Sequence, residues 1–216
     1  TASAYLHVVV GVIMLSTAMQ DIRERILSAA ARVYTEAGFR GATTRRVAQE
    51  AGVNEITLFR HFGTKEALVR AALSRASSGS RTPLSQPIQS FREVYQWALG
   101  TFRHWHQGRQ LISRVLGDLI EHPELAPAIC EEPNCEHQML ARYLDRMRAA
   151  GFATAEFHSE AAAGLLLGAV FTHAVWRDHF ETPELPPAET VIRQYVALLF
   201  NAIGASREIP AAGEVL

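Results

Sequence analysis

The segment from Thr43 to Lys65, TTRRVAQEAGVNEITLFRHFGTK, constrains the fold of this chain more than any other stretch. Ala48 and Gly52 stand four residues apart in it, which suits two short helices joined by a tight turn. Helices that cross steeply need a small side chain where they touch. A chain that reverses in about three residues commonly needs a left-handed backbone, which glycine adopts without steric cost. The segment therefore predicts a helix-turn-helix unit.

The second helix of this unit has two distinct faces, because successive residues are turned by roughly 100°. The inward side chains are Val53, Leu58 and Phe62, and the outward ones are Ile56, Thr57, Phe59 and Arg60. Thr43 or Thr44 is expected to cap the first helix, Asn54 the second and Thr64 the one that follows. The outward face is the surface that a DNA groove would meet.

An ordinary helical hairpin with no role in DNA binding is the alternative interpretation of the same spacing. The residues upstream weaken it, because they form an apolar helical face that ends at Gly38. That face consists of Ile22, Ile26, Ala29, Ala30, Val33 and Ala37. A supporting helix thus precedes the pair, and another helix follows it.

The stretch from Arg25 to Leu73 resembles the tetracycline-repressor family of bacterial transcription regulators. The family pattern is a helix ending in AA..F...G, followed by T(T)..(I/V)A..AGV....L(Y/F)..F..KE.L. The matching residues are Ala29, Ala30, Gly38, Phe39, Thr43, Thr44, Val47, Ala48, Ala51, Gly52, Val53, Thr57, Leu58, Phe59, Phe62, Lys65, Glu66 and Leu68. The resemblance covers about 50 residues in the amino-terminal third.

The resemblance implies that Asn54 to His61 is a recognition helix that enters the major groove. It also implies DNA backbone contacts from Thr43 and Thr44, and a phosphate contact from Lys65. The full set of predicted DNA-binding residues is Thr43, Thr44, Arg45, Arg46, Asn54, Glu55, Ile56, Thr57, Phe59, Arg60, His61 and Lys65.

Two positions of the recognition helix depart from the commonest family pattern. Glu55 stands where many relatives have lysine, and Phe59 where a tyrosine hydroxyl often reaches a phosphate. Both changes remove a backbone contact. Glu55 has the chemistry to accept a hydrogen bond from a cytosine amino group, and Arg60 that to pair with guanine.

Charge is concentrated at one end of the chain. Residues 19–80 hold ten basic and six acidic side chains, a net charge of +4, whereas the whole chain is −1 and the part from Arg81 onward is −5. This is modest for a DNA-binding domain. It favours a dimer, which doubles the phosphate contacts across two half-sites.

The composition changes after the fourth helix, at SSGSRTPLSQP, Ser77 to Pro87. We predict an apolar extension at 1–18, a helix-turn-helix domain at 19–80, a linker at 81–87 and a helical regulatory and dimerisation domain at 88–216. The last part shows helical spacing without strand alternation, so the predicted fold class is all-α. Its helices are expected at about Ile88 to His106, Gln110 to His122, Asn134 to Ala150, Ala155 to Phe180 and Ala188 to Ile203.

The last two predicted helices have apolar faces that need a partner. Ala161, Gly164 and Gly168 would allow close approach of backbones, and two helices from each of two subunits can form a four-helix bundle. The family resemblance implies the same homodimer. Burial of both faces within one chain is the alternative.

Aromatic residues cluster in two of the predicted helices of this domain. The resemblance implies a pocket there for a small hydrophobic or amphipathic inducer, although aromatic residues at helical spacing are more often plain core. The candidate pocket residues are Trp97, Phe102, Trp105, His106, Phe171 and Trp176. His104, His106, His173 and His179 are candidate polar anchors.

Enzyme motifs are missing from the sequence, which has no glycine-rich phosphate loop, no G-x-S-x-G and no H-E-x-x-H. We therefore expect no catalytic residue, no metal and no cofactor. Cys130 and Cys135 have a spacing that matches no common zinc pattern, and free thiols are favoured over a redox switch.

The amino-terminal 18 residues are uncharged and contain an apolar run from Val8 to Leu15. The run is short for a membrane span, and a secretory signal would have a basic start, so no membrane partner is expected. The predicted DNA-binding domain behind it favours a cytoplasmic location. The extension is read either as the product of an early start assignment or as an extra helix over the first domain. Thr17 and Gln20 have capping-box spacing for a helix that begins near Met19.

The sequence thus predicts a dimeric, ligand-responsive transcription regulator that represses genes by binding a near-palindromic operator. Its partners would be double-stranded DNA, a small-molecule inducer and a second copy of the chain. The main alternative is a helical ligand-binding protein that has lost operator binding, suggested by Glu55, Phe59 and the low net charge.

Overall fold

The computed structural model describes residues 2–77, 84, 91–125, 136–179 and 186–205. Within these ranges the chain forms α-helices and no strands, which confirms the predicted all-α class. The helices are α1 Ala2–Gly41, α2 Thr44–Ala51, α3 Glu55–Phe62, α4 Lys65–Ser77, α5 Phe91–Gln107, α6 Arg109–Asp118, α7 Glu136–Ala149, α8 Ser159–Trp176 and α9 Ala188–Ala202. Short 3₁₀ turns lie at Pro123–Leu125 and Arg177–His179.

Helix α1 begins far upstream of the predicted point. It runs without a break from Ala2 through the apolar extension, so the prediction of a helix that begins near Met19 is wrong. The residues before Met19 contain no proline and a single glycine, so nothing in them interrupts helical propagation. Thr17 therefore lies inside the helix rather than at its cap.

The carboxyl end of α1 is broken at Gly38, where φ is 67°. The next backbone N–H, that of Phe39, donates to the Asp118 carboxylate at 2.8 Å, and a Cβ at residue 38 would lie 3.2 Å from the same oxygen. Burial and the Asp118 carboxylate together raise the pKa of Tyr34, which is 1% exposed. The left-handed backbone favours glycine here, and the absence of a side chain leaves room for the carboxylate to approach closely.

The chain divides into two compact units. The first comprises residues 1–78 and 113–129, and the second comprises residues 79–112 and 130–216. The amino-terminal unit thus includes the second half of α6, which the sequence did not indicate. The predicted linker 81–87 lies outside the described residues except for Leu84, which is buried.

The core of the second unit is formed by α5, α7, α8 and α9, with α8 packed against the other three. In the described part of the chain, α8 is the helix long and apolar enough to cross a membrane by length and composition. Its buried residues Leu166, Val170 and Ala174 belong to the core of this unit. That packing accounts for the apolar composition of the helix.

Helix α8 is shorter than predicted at both ends. Residues 153–155 pair with the end of α9 instead of joining the helix: Ala153 forms a bridge with Ala205, and the Ala155 N–H donates to the Ile203 carbonyl at 3.1 Å. His158 has an extended backbone, with φ −91° and ψ 118°, and the helix begins at Ser159, so the predicted start at Ala155 is wrong. Cys130 and Cys135 lie outside the described residues.

Candidate nucleic-acid interface

The turn between α2 and α3 has the geometry that the sequence predicted. Gly52 adopts the left-handed conformation, with φ 64° and ψ 38°. The Gly52 N–H donates to the Gln49 carbonyl at 3.1 Å and the Val53 N–H to the Ala48 carbonyl at 3.0 Å. Ala48 is 3% exposed, as expected of a small residue at a helix crossing. The two helices are therefore joined by a closed and internally hydrogen-bonded turn.

Arg25 of α1 supports this turn from outside. Its guanidinium donates to the Ala51 carbonyl at 2.7 Å and, at 3.4 Å, to the Gly52 carbonyl. A Cβ at residue 52 would lie 3.0 Å from the guanidinium, which gives a second reason for glycine. This role of Arg25 was not predicted. In one sequence, an arginine on a helix face carries no signal of such a long-range contact.

Three short helices begin with a side-chain cap, as predicted. The Thr43 hydroxyl accepts from the Arg46 N–H at 3.2 Å and caps α2. The Asn54 amide oxygen accepts from the Thr57 N–H at 2.7 Å and from the Thr57 hydroxyl at 2.8 Å, which caps α3. Thr64 caps α4 through the Ala67 N–H at 3.1 Å. Asn54 and Thr57 are thus engaged with each other before any DNA is present.

The exposure of α3 separates its two faces. Leu58 is fully buried, whereas Ile56 is 72% and Phe59 45% exposed. Arg60 is exposed as well, while Val53, Phe62 and His61 are half-buried. Ile56 and Phe59 therefore leave apolar surface open on α3 next to the exposed Arg60. The exposed face of α3 is the one predicted to meet DNA.

The basic residues around this face differ in their engagement. Arg46 forms an ion pair with Glu36 at 2.5 Å, and the Lys65 ammonium lies 4.4 Å from the centre of the Phe39 ring. Arg45 and Arg60 are exposed and make no ion pair with the described residues. They are the basic side chains that can reach a phosphate or a base without breaking a contact.

A hydrogen bond connects the first residues of the two helices. The Thr44 hydroxyl donates to Oε1 of the Glu55 carboxylate. These two residues are 11 apart in the chain, and both were predicted to touch DNA. The pairing was not foreseen, because it depends on the angle at which the turn sets α3 against α2.

The candidate ligand site lies in the second unit, and most of its predicted aromatic residues are in contact. Trp105 meets Phe171 edge-on with ring centroids 5.5 Å apart, and Phe102 stacks on His106 at the same distance. Trp97 is buried in the core, whereas Trp176 is 48% exposed and lies at the surface. Four of the six predicted pocket residues therefore make ring contacts in pairs, whereas Trp97 lies in the core and Trp176 at the surface.

His173 adds a polar group to this cluster. It is 5% exposed and its ring lies 5.5 Å from that of Phe102. Burial, and then the nearby Arg177 guanidinium, lowers the pKa of His173. The neutral ring accepts from Arg177 at 2.6 Å, and His106 donates through Nδ1 to the Ala174 carbonyl at 2.9 Å. The predicted anchors His106 and His173 therefore lie together, each with a defined partner.

Comparison with known families gives two matches along the chain. Residues 26–72 match the family described as bacterial regulatory proteins, tetR family. Residues 97–202 match the carboxy-terminal domain of AefR-like transcriptional repressors. Together the matches cover more than half of the chain, and the first of them contains the whole helix-turn-helix unit.

Individual relatives agree with these matches. The chain is similar to the HTH-type transcriptional regulator YvkB of Bacillus subtilis, with 25% identity over 189 residues, 87% of this chain and 100% of the relative. The fold resembles that of the fatty acid degradation regulator FadR from Bacillus halodurans, with a TM-score of 0.63, 20% identity and coverage of 82% of this chain and 93% of that one. The flavonoid-responsive regulator FrrA gives a TM-score of 0.64 at 22% identity, with coverage of 84% and 96%.

Proposed function

Because the chain belongs to the tetR family of bacterial regulatory proteins, we propose that it is a homodimeric repressor that binds a near-palindromic operator and is released by a small hydrophobic or amphipathic molecule. The observation that carries the DNA-binding part is the exposed face of α3, with Ile56 72% exposed beside the exposed Arg60. A protein of this kind works in the cytoplasm, where its operator is.

The homodimer is supported by apolar side chains left open on α8 and α9. Leu165 is 71% exposed, Leu198 60% and Trp176 48%. These are large hydrophobic residues on two helices that pack against each other within one chain. A second copy that brings the same two helices would cover them in a four-helix bundle.

Control by a small molecule is supported by the aromatic and histidine cluster of the second unit. Phe102, Trp105 and Phe171 offer apolar ring surface, and His106 and His173 offer polar groups next to it. By linkage, a ligand that prefers the form unable to span two half-sites must weaken DNA binding by the same coupling free energy, typically about 1–3 kcal/mol. The flavonoid response in the name of one structural neighbour is a property of that protein, and it motivates aromatic compounds as first probes.

Operator binding is tested with the DNA upstream of the gene that encodes this chain, against an unrelated duplex of equal length and at several salt concentrations. We expect a specific complex stronger by about 10³-fold or more, with two subunits on each site. Equal and weak binding to both duplexes, together with an empty selection from random DNA, would reject the proposal.

Arg45→Ala and Glu36→Gln are expected to change DNA affinity in opposite directions. Loss of Arg45 removes one phosphate contact per subunit, so the slope of log affinity against log salt should fall in magnitude by about 2 for the dimer. Glu36→Gln frees Arg46 from its ion pair and should raise affinity by about 2- to 30-fold, since an exposed pair contributes about 0.2–1 kcal/mol per subunit. Filter-binding titrations over a salt series measure both. If both variants keep the wild-type slope and affinity, the phosphate-facing role of this surface is wrong.

The ligand response is tested by screening aromatic and amphipathic compounds for a rise in melting temperature, and then for release of the operator. A compound that does both should lower operator affinity by about 5- to 150-fold at saturation, given the coupling range above. Phe171→Ala, which removes the ring opposite Trp105, should abolish the melting shift but leave operator binding in place. If compounds stabilise the protein but do not release DNA, ligand binding does not control operator binding.

A helical ligand-binding protein without operator binding stays the second candidate. One observation favours it: the side chains of two residues predicted to bind DNA, Thr44 and Arg46, are both bonded to acidic side chains. The comparison of upstream and unrelated DNA separates the two candidates.

A further inference from the structure

We propose that Thr44 serves to orient Glu55 for the recognition of a cytosine in each half-site of the operator, rather than to bind a phosphate through its hydroxyl. This inference rests on the proposed operator binding. It assigns to the contact between Thr44 and Glu55 a role in sequence specificity that neither residue has alone.

The Thr44 hydroxyl is already bonded to Glu55. A hydroxyl has one proton to donate, and in this structure the proton goes to Oε1 of Glu55. A phosphate oxygen only accepts, so the hydroxyl cannot bind it while it holds the carboxylate. In the first turn of α2 the Arg46 N–H is taken by the Thr43 hydroxyl, whereas the N–H groups of Thr44 and Arg45 have no helical partner and remain suited to a phosphate. Thr44 can therefore contact the DNA backbone through its main chain and hold Glu55 through its side chain.

The Glu55 carboxylate has a second oxygen that can accept a hydrogen bond from a base. An ionised carboxylate accepts through two oxygens, and Thr44 occupies one site on Oε1. Within the described part of the chain, Oε2 has no hydrogen bond. Glu55 is the first residue of α3, where the positive end of the helix dipole favours a negative charge. The carboxylate is thus held from one side and able to accept from a base on the other.

The four bases differ in the groups that they present to a carboxylate. In the major groove, cytosine presents its N4 amino group as a donor, whereas guanine presents acceptors at N7 and O6 that would repel a carboxylate. Adenine offers a donor at N6, but its N7 acceptor lies next to it and suits a glutamine or asparagine amide better. Cytosine is therefore the base that a fixed carboxylate favours. Repulsion from the other bases adds to the discrimination.

Ile56 lies next to Glu55 in the first turn of α3. Glu55 and Ile56 follow the Asn54 cap as the first two residues of α3, and Ile56 is 72% exposed. Ile56 offers apolar contact of the kind that suits a thymine methyl group. The amino-terminal end of α3 then reads bases through one acceptor and one apolar side chain.

The test is a selection of binding sites from a random duplex library, using the full-length chain and the variants Glu55→Gln, Glu55→Ala, Thr44→Val and Thr44→Ser. The wild type should enrich cytosine at one symmetry-related position in each half-site, and another base there should cost about 5- to 150-fold in affinity. Glu55→Gln should shift that position toward adenine, and Glu55→Ala should lose the preference. Thr44→Val should weaken the preference at the same position, while Thr44→Ser, which keeps the hydroxyl, should preserve it.

The pattern of loss separates orientation from phosphate binding. If the Thr44 side chain bound a phosphate, Thr44→Val would weaken all sequences equally and leave the cytosine preference intact. That result would overturn the role of Thr44, and an unchanged preference in Glu55→Ala would overturn the role of Glu55. Failure of the wild type to enrich any sequence would instead reject operator binding itself. Circular dichroism melts confirm that each variant is folded before it is used.

Discussion

Replacing both Leu165 and Leu198 with glutamate is expected to make the protein monomeric and to weaken operator binding by about 10²- to 10⁴-fold. Both leucines are mostly exposed in the single chain, at 71% and 60%, so charge at these positions costs the monomer little. In the proposed four-helix bundle the same positions are buried, and four carboxylates there would have no partners. Without the dimer, each half-site is bound separately and the gain from joining two recognition helices is lost.

Sedimentation velocity measures the oligomeric state, and titration with one-half-site and two-half-site duplexes measures the DNA affinity. The control is Gln96→Glu, which adds one carboxylate, half of the charge of the double variant, at an exposed position of α5 in the same unit. The double variant should bind both duplexes with nearly equal affinity, whereas the control should prefer the full site as the wild type does. A double variant that still sediments as a dimer would place the interface on another surface.

Leu58→Ala is expected to lower the stability of the protein and Ile56→Ala to lower its operator affinity, although the two residues lie only two apart on α3. Leu58 is fully buried, and its truncation should lower the free energy of unfolding of the amino-terminal unit by about 2–5 kcal/mol. Ile56 is 72% exposed, so its truncation should change stability by no more than about 0.5 kcal/mol. Operator affinity should fall in Ile56→Ala through the lost base contact, with the fold intact.

Amide hydrogen exchange followed by mass spectrometry measures the first effect, since it reports the opening of α1 to α4 separately from the rest of the chain. The three tryptophans, Trp97, Trp105 and Trp176, all lie in the second unit. Their fluorescence therefore serves as an internal control that should change little in either variant. Equal losses of protection in the two variants would contradict the assignment of a buried and a DNA-facing side of α3.

The helix-turn-helix unit could be predicted from the sequence because each of its turns depends on neighbouring residues. A left-handed Gly52, an Asn54 cap and a buried Leu58 follow from local rules on backbone conformation, capping and helical spacing. The exposed side of α3 then follows from the buried side. The family resemblance adds the role of that surface, and residues 26–72 match the same family.

Contacts between residues far apart in the chain could not be predicted in the same way. Arg25 reaches the turn 26 residues later, and Asp118 binds the Phe39 N–H across 79 residues. Such pairs depend on the angles at which helices cross, and a single sequence carries no signal for those angles. The start of α8 at Ser159 could not be predicted for a similar reason, because residues 153–155 pair with a distant segment at the end of α9. The early end of α8 at Trp176 was not predicted either.

The three side-chain caps on α2, α3 and α4 bear on how the protein would discriminate among DNA sites. Helices of eight residues, such as α2 and α3, are marginal in water by themselves, but here each begins with a cap and Arg25 braces the turn between them. The recognition helix is therefore already formed when it meets a duplex, and binding carries no cost for ordering it. Right and wrong sequences should then be approached at similar rates, and the operator would be distinguished by the residence time of the complex.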